Sequence, residues 1–301
     1  MRGVSGARIW YQSLTDPDAD GPYFTRLGRY LRSVSSPGCE VEVFGIQPGD
    51  RYLHPITEFR CAAQVIANAL TAQQQGYDAF VIGHFQEPGL AEARSAVPIP
   101  VIGLGEATML HACTLGRKIG LVTINPVFVP YHEDQIARHG LQRRVIAVQA
   151  VHAQTGQFNR AFEDEREYRS LREAFVGQAE PMLKLGIDVI IPAGGYPMLL
   201  FCREQSFEVG GAAVLNGLPV AVAAAETAIG LRRLNGTGTS RRTAYALPPS
   251  EAVTEFGNAF TTAPRRTGPP PPGEQDTRPQ SGRGAHGSAT EWTAPWLRPP
   301  Q

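Results

Sequence analysis

Short apolar runs rich in β-branched residues alternate with amphipathic stretches between about residues 5 and 260. Several runs are apolar throughout, which is typical of parallel-sheet strands covered by helices on both faces. The predicted strands are Ala7–Tyr11, Glu40–Phe44, Ala79–Ile82, Val101–Gly103, Ile119–Thr123, Val145–Val148, Val189–Ile191 and Val220–Val222. The predicted helices are Tyr23–Val34, Glu58–Gln75, Val129–His139, Glu163–Leu185 and Ala224–Asn235. This alternation predicts a doubly wound α/β fold, whose ligands bind at the carboxyl ends of the strands.

An internal similarity divides this region in two. The segment Tyr77–His84 resembles Ile187–Gly194, and each is followed by a Pro-Val pair and then a glutamate, Glu106 or Glu226. We therefore predict two similar parallel-sheet halves that face each other across a central cleft. The first half comprises residues 5–123, with the chain returning to it near 220–260, and the second comprises residues 124–219.

Composition changes near residue 262. The last 40 residues, 262–301, hold nine prolines and five glycines but almost no aliphatic side chains. Such a segment cannot bury enough apolar surface to offset the entropy of ordering. A disordered Pro/Gly-rich tail is predicted there.

Charge and cysteine content narrow the classes of function. The chain has 28 basic and 28 acidic residues and four widely spaced cysteines without a CxxC pair. Balanced charge argues against broad attraction to nucleic acid or anionic membrane. The cysteine pattern is typical of a cytoplasmic protein with free thiols rather than a disulfide scaffold or a zinc module. No metal site, nucleic-acid partner or membrane association is expected.

Four segments carry a resemblance to a known family. They are Val81-Ile-Gly-His-Phe-Gln-Glu-Pro-Gly-Leu90, Pro100-Val-Ile-Gly-Leu-Gly-Glu-Ala107, Gly116-Arg-Lys-Ile-Gly-Leu-Val-Thr123 and Asp188-Val-Ile-Ile-Pro-Ala-Gly-Gly195. In this order and spacing they resemble hydantoin racemases of the aspartate/glutamate racemase superfamily, which also contains arylmalonate decarboxylase and maleate isomerase. The resemblance spans about residues 7–236.

The resemblance implies a cofactor-independent enzyme that acts on a small molecule and forms homo-oligomers. In that family two cysteines, one from each half, move a proton on opposite faces of a carbon beside a carbonyl or carboxylate. The decarboxylase branch retains one of these cysteines. Here the first cysteine position is His84. The second is Ala193 or Gly194, depending on the alignment, so a two-thiol mechanism is not expected.

His84 is the predicted catalytic residue. An imidazole with an ordinary pKa near ~6.5 gives or takes a proton at neutral pH. The other interpretation is a histidine that is hydrogen-bonded to the backbone inside an inactive pocket.

The remaining candidates follow strand ends. The predicted substrate-binding residues are Tyr11, Gln12, Ser13, Phe85, Gln86, Thr123, Asn125, Ala193, Gly194, Gly195 and Tyr196. Thr123 and Asn125 either donate to an oxyanion or cap a turn, and the rings of Phe85 and Tyr196 suggest a ligand with apolar surface. His54 and Glu226 are further possibilities, whereas His132 and His139 are expected in solvent.

Three hypotheses of function remain open. The first is one-sided proton transfer by His84 on a small carboxylate, carbonyl or cyclic amide, as in a decarboxylase, tautomerase or cyclase. The second is a racemase or epimerase in which His84 acts with a non-thiol partner such as His54 or water. The third is a binding protein that keeps the cleft without catalysis.

Overall fold

The computed structural model describes residues 4–50, 52, 54–260 and the backbone of 265–266. The predicted disordered tail therefore falls outside the described residues, apart from that dipeptide. The described chain forms two five-stranded sheets with helices around them. The prediction of two parallel-sheet α/β halves is confirmed.

The first sheet has the strand order β10-β2-β1-β3-β4, and its strands are parallel except for β10. The strands are β1 (Ala7–Gln12), β2 (Cys39–Gly45), β3 (Ala79–Ile82), β4 (Val101–Gly103) and β10 (Arg265–Arg266). The second sheet has the order β6-β5-β7-β9-β8, with only β8 antiparallel. Its strands are β5 (Ile119–Thr123), β6 (Val145–Ala150), β7 (Val189–Ala193), β8 (Glu208–Val209) and β9 (Ala212–Val214).

Helices connect successive strands and cover the sheets. They are α1 (Gly21–Val34), α2 (Pro55–Gln74), α3 (Leu90–Ala96), α4 (Leu104–Leu115), α5 (Val129–Arg138), α6 (Thr155–Ala161), α7 (Glu165–Leu183), α8 (Gly195–Leu200), α9 (Gly217–Asn235) and α10 (Ser250–Phe260). Every residue of β3, β5 and β7 is buried, which explains their uninterrupted apolar sequences. Short 3-10 turns span Pro126–Phe128 and Phe201–Arg203, and the latter contains Cys202.

The prediction of a strand at Val220–Val222 is wrong, because these residues lie in the first turns of α9. Asn216 caps that helix by accepting a hydrogen bond from the backbone N–H of Leu218 at 3.1 Å. Short apolar runs do not distinguish a strand from a buried helix. The buried residues Ala221, Val222, Ala225 and Ile229 instead follow helical spacing.

The boundary between the sheets also differs from the prediction. Strand β5 pairs with β6 and β7 in the second sheet, so the boundary lies before Ile119 rather than after Thr123. Helix α9 then packs on α1, α4, β3 and β4, which belong to the first half or adjoin it. The carboxyl ends of β1, β3, β5 and β7 carry the segments singled out in the sequence.

Candidate functional site

His84 follows the end of β3, directly after Gly83. A Cβ atom on Gly83 would come within 2.0 Å of the Tyr11 ring, so this position needs glycine. The His84 side chain is half-buried, and burial lowers its pKa to about 4, although the nearby Asp50 carboxylate opposes that shift. The expectation of an imidazole that titrates near neutral pH is therefore wrong. At pH 7 the ring is neutral and is ready to accept a proton.

The second predicted strand end meets the first. Strand β7 ends at Ala193, and helix α8 begins at Gly195. A Cβ atom on Gly195 would lie 2.9 Å from the Tyr23 hydroxyl and 3.5 Å from the carbonyl oxygen of Gly83. The fold thus brings together two segments that are more than 100 residues apart in the sequence.

Three tyrosines line this junction. The rings of Tyr23 and Tyr196 stack at a centroid distance of 4.3 Å, and the Tyr196 hydroxyl donates to the Asp20 carboxylate. The Tyr11 hydroxyl is buried and has no hydrogen-bond partner among the described residues. Burial raises the pKa of Tyr11 well above its ordinary value, so this hydroxyl stays protonated. A buried donor without a partner suits a ligand or an ordered water.

Gln12 is held by the first half of the fold. Its Oε1 accepts hydrogen bonds from Trp10 Nε1 at 3.0 Å and from Asn68 Nδ2 at 2.8 Å. Its Nε2 donates to the carbonyl oxygens of Ser13 and Phe44. This fully buried amide therefore stabilises the end of β1. The Ser13 hydroxyl accepts a hydrogen bond from the backbone N–H of Thr15 at 3.3 Å and contacts the Tyr23 hydroxyl.

A line of buried polar groups runs from the second sheet into α5. Thr123 Oγ1 lies 3.2 Å from the carbonyl oxygen of Ala193 and 3.1 Å from His132 Nε2. On the other side of the imidazole, His132 Nδ1 lies 3.3 Å from Gln135 Oε1. The side chains of Thr123, His132 and Gln135 are fully buried. The expectation that His132 lies in solvent is wrong.

The series of hydrogen bonds continues from Gln135 to the loop that carries His84. Gln135 Nε2 donates to the carbonyl oxygen of Phe85 at 2.5 Å and to Glu87 Oε2 at 2.9 Å. Glu87 has a φ of 58°, which is rare for a residue with a side chain. Its buried carboxylate also accepts from the backbone N–H of Glu106 at 2.5 Å and lies 3.0 Å from His139 Nε2. His139 is therefore mostly buried, contrary to expectation.

Helical spacing could have revealed this arrangement. Along α5 and its C-terminal cap, positions i, i+3, i+4 and i+7 share one face of a helix, and they are occupied by His132, Gln135, Ile136 and His139. In the structure that face is directed inward. The sequence therefore indicated buried polar groups, because polar residues occupy the helix face that normally carries aliphatic side chains.

Three other candidate residues lie outside this series of hydrogen-bonded polar side chains. Asn125 Oδ1 caps the 3-10 turn by accepting from the backbone N–H of Val127 at 3.0 Å, and His54 caps α2 by accepting from the N–H of Ile56 at 3.2 Å. Glu226 lies within α9, not at a helix start, and its carboxylate accepts two hydrogen bonds from Ser36, each at 2.7 Å. Glu226 therefore stabilises the turn between α1 and β2.

Phe85 and Gln86 are both buried. The Phe85 ring packs edge-on against the His132 ring at a centroid distance of 5.3 Å. This contact explains the large side chain at position 85 without a ligand, so Phe85 no longer supports the inference of a ligand with apolar surface.

Helices α2 and α5 bring Glu58 close to Tyr131 and Arg138. Burial, assisted by the Asp50 carboxylate, raises the pKa of Glu58 to about 7, while its neighbours Tyr131 and Arg138 oppose the shift. Glu58 therefore titrates close to neutral pH.

No group of three or more His, Cys, Asp or Glu side chains within the described residues is arranged to hold a metal ion. In the same part of the chain, no helix combines the length and the apolar character needed to cross a membrane.

The chain consists of two parallel-sheet halves, and the segments that contain His84 and Gly195 lie at adjoining strand ends. Proteins with such an α/β fold bind small molecules at the strand ends. The Asp/Glu/hydantoin racemase family matches residues 16–225, so the chain belongs to that family. It is 30% identical over 192 residues to a hydantoin racemase from Rhizobium meliloti, covering 63% of this chain and 74% of that protein. A hydantoin racemase from Pseudomonas sp. (strain NS671) is 27% identical over 209 residues, covering 68% and 80%.

Solved structures show the same architecture. Allantoin racemase from Klebsiella pneumoniae superposes with a TM-score of 0.69 at 23% identity and covers 81% of this chain and 94% of its own. Allantoin racemase from Pseudomonas fluorescens gives a TM-score of 0.66 at 26% identity, with coverage of 80% and 97%. The resemblance of the sequence to this family is confirmed.

Proposed function

We propose that this chain is a cofactor-independent acid/base enzyme in which His84 removes a proton from a carbon next to a carbonyl group. The observation that carries the proposal is a half-buried, neutral imidazole at the end of β3, beside the point where the two strand ends meet. A neutral imidazole in such a place is a general base. The C–H electron pair moves into the adjacent carbonyl, which becomes an enolate.

The proposed substrates are small cyclic amides of the hydantoin type, or small carboxylates. Hydantoin and allantoin are the compounds named for the relatives, and in allantoin and 5-substituted hydantoins a carbonyl group lies next to a substituted carbon that carries one hydrogen. The buried Tyr11 hydroxyl supports this assignment, because a protonated phenol can donate to an enolate oxygen. We also propose that the protein is cytoplasmic and homo-oligomeric.

Residue 193 decides the class of reaction. Alanine supplies no titratable group there, so His84 acting by itself performs one-sided chemistry in which a base removes the proton, such as tautomerisation or cyclisation. Racemisation requires a second group that delivers a proton to the opposite face of the carbon.

Proton exchange in heavy water tests the role of His84. The purified protein is incubated in D2O with each enantiomer of 5-benzylhydantoin and of allantoin, and loss of the C5–H signal is followed by NMR. His84→Asn should slow exchange by about 10²–10⁴-fold, the usual contribution of a general base, while ligand binding measured by thermal shift changes little.

The matched control is His111→Asn, because His111 is an exposed histidine on α4 and its loss should leave exchange unchanged. Equal exchange by wild type and His84→Asn would refute the proposed role of His84. Binding without any exchange would indicate the non-catalytic hypothesis.

A further inference from the structure

We propose that Glu87 is a positioning residue of this site, which holds the loop that carries His84 where the imidazole reaches the substrate carbon. The inference rests on the proposed function of His84. Glu87 itself does not touch the substrate, and it acts only through the position of His84.

The position of the His84 ring depends on its backbone. Within the described residues no hydrogen bond reaches this ring, and its ring contact there is an edge-on approach to Phe128 at a centroid distance of 6.5 Å. A base with so little support is held only as well as the loop that carries it. A displacement of about 1 Å can slow a catalysed reaction by about 10²-fold, so the contacts of this loop matter for the reaction.

Glu87 closes the turn that begins at His84. The backbone N–H of Glu87 donates to the carbonyl oxygen of His84 at 3.1 Å, which joins the first and fourth residues of the turn. Glu87 has a φ of 58°, in the left-handed region that residues with a side chain seldom adopt. Backbone strain of this kind persists only where the surrounding contacts enforce it. The contacts of the Glu87 side chain supply that enforcement.

The buried carboxylate of Glu87 joins the loop to two helices. Its Oε1 accepts a hydrogen bond from the backbone N–H of Glu106, in the first turn of α4, at 2.5 Å. Its Oε2 accepts from Gln135 Nε2 of α5 at 2.9 Å and lies 3.0 Å from His139 Nε2 at the end of that helix. A carboxylate accepts at both oxygens, whereas an amide would turn its NH2 group toward one of these donors. The arrangement therefore requires an acid at position 87.

Gln135 holds the same loop at a second residue. Besides the Glu87 carboxylate, its Nε2 also reaches the carbonyl oxygen of Phe85 at 2.5 Å. Phe85 directly follows His84 in the chain. The backbone on the carboxyl side of His84 is thus fixed by one helix side chain that Glu87 in turn holds in place.

Two glycines leave the space that these hydrogen bonds occupy. A Cβ atom on Gly103 would lie 2.2 Å from Glu87 Oε1. A Cβ atom on Gly105 would lie 2.3 Å from both Gln135 Nε2 and the Phe85 carbonyl oxygen. Neither glycine has a positive φ, so close approach rather than backbone conformation explains the absence of a side chain. The start of α4 is therefore shaped around the Glu87 contacts.

Glu87→Gln is the test, because it keeps the size of the side chain and replaces one acceptor oxygen with a donor. The matched control is Glu42→Gln. Glu42 is also a buried glutamate, but it accepts hydrogen bonds from Arg8 and Tyr77, near the amino-terminal ends of β1 and β3. Wild type, both variants and His84→Asn are assayed for C5–H exchange of both enantiomers of 5-benzylhydantoin in D2O over a range of concentrations, which gives kcat and KM.

We expect Glu87→Gln to lower kcat by about 10²-fold with little change in KM, because the base is displaced while the substrate still binds. A second measurement needs no substrate. The titration of the His84 ring is followed by NMR and assigned with His84→Asn. Its pKa should rise from about 4 toward 6.5 in Glu87→Gln, since a released loop returns the ring to water, while the facing groups Asp50 and His132 are unchanged. Glu42→Gln should keep the wild-type kcat and pKa.

His139→Phe is a second, milder variant. It keeps an aromatic ring and removes one of the nitrogen atoms around the Glu87 carboxylate. It should lower kcat by about 2–10-fold, the usual contribution of one hydrogen bond. This variant carries the test if urea denaturation shows that Glu87→Gln does not fold.

A wild-type kcat in Glu87→Gln, or in His139→Phe where the first variant does not fold, would overturn this inference. If His84→Asn still loses exchange, the role of His84 remains intact. An unchanged His84 pKa in Glu87→Gln, or an equal loss of kcat in Glu42→Gln, would also overturn the inference. A wild type without exchange would overturn both proposals.

Discussion

Acid should destabilise this protein through His84 and His132 between about pH 6.5 and 4, with Glu58 acting in the opposite direction between about pH 7 and 4.5. His132→Leu should lower the slope of stability against pH by about 1.4 kcal/mol per pH unit. Burial lowers the pKa values of His84 and His132 from 6.5 to about 4 in the folded protein. Between these pH values the unfolded chain binds more protons than the folded one, so stability falls as pH falls. Above pH 6.5 both rings are neutral in either state and the effect vanishes.

The size of the loss in stability follows from the lowered pKa values of the two histidines. One pKa unit corresponds to about 1.4 kcal/mol, so each imidazole accounts for up to about 3 kcal/mol of stability that is lost on acidification. Within that range each contributes a slope of about 1.4 kcal/mol per pH unit. Together they can remove much of the roughly 5–15 kcal/mol that stabilises a typical domain.

The leucine variant carries a separate cost at neutral pH. Removing the imidazole leaves Gln135 Oε1 without its partner, although Thr123 still donates to the Ala193 carbonyl oxygen, and a buried unsatisfied group costs about 1–3 kcal/mol. His132→Leu should therefore be less stable than wild type at pH 7.5. Its stability should fall less with acid, so the two curves converge toward pH 4.5.

Urea denaturation at several pH values between about 7.5 and 4.5 measures both effects. The exposed His111 again supplies the control, and His111→Asn should reproduce the wild-type slope because this side chain is solvated in both states. A slope for His132→Leu equal to that of wild type would show that His132 is not held neutral in the folded protein.

Two further predictions concern the cysteine thiols and the carboxyl group of Glu58. Thiol alkylation with iodoacetamide should leave C5–H exchange unchanged, since burial raises the pKa values of Cys39 and Cys61 to about 12 and keeps these thiols protonated; rapid inactivation would place a thiol in the site. Glu58→Gln should be more stable than wild type at pH 8 by about 1–3 kcal/mol, with the difference vanishing near pH 4.5. The carboxylate of Glu58, with its pKa of about 7, becomes charged at a cost as pH rises from 4.5 to 7. Urea midpoints at pH 5 and 8 measure this difference, and equal midpoints at pH 8 would contradict it.

Much of the architecture was predictable from the chain. The apolar runs of β3, β5 and β7 are buried on both faces, and burial of this kind leaves a local signature that needs no knowledge of the neighbours. His84 and Gly195 stood out because their segments resemble those of hydantoin racemases. The burial of the strands was predicted from local pattern, whereas these two residues were found through the resemblance.

Tertiary structure determined the secondary structure and the strand pairing that the local sequence pattern left open. The run Val220–Val222 suits a strand or a buried helix equally, and only packing against α1 and α4 makes it part of α9. Pairing of β5 with β7 placed Thr123 beside Ala193, although 70 residues separate them in the sequence. Strand pairing depends on long-range contacts, which no local window contains.

The chemistry of the site depends on tertiary structure most of all. The sequence shows two histidines, at positions 84 and 132, with the same ordinary pKa. Burial makes both rings neutral, and the packing of α5 places the His132 ring between Thr123 and Gln135. Desolvation and hydrogen bonding are properties of the assembled surroundings of a group. The sequence by itself therefore determined which residues could move a proton, and the fold decided the protonation state and the hydrogen-bond partners of those residues.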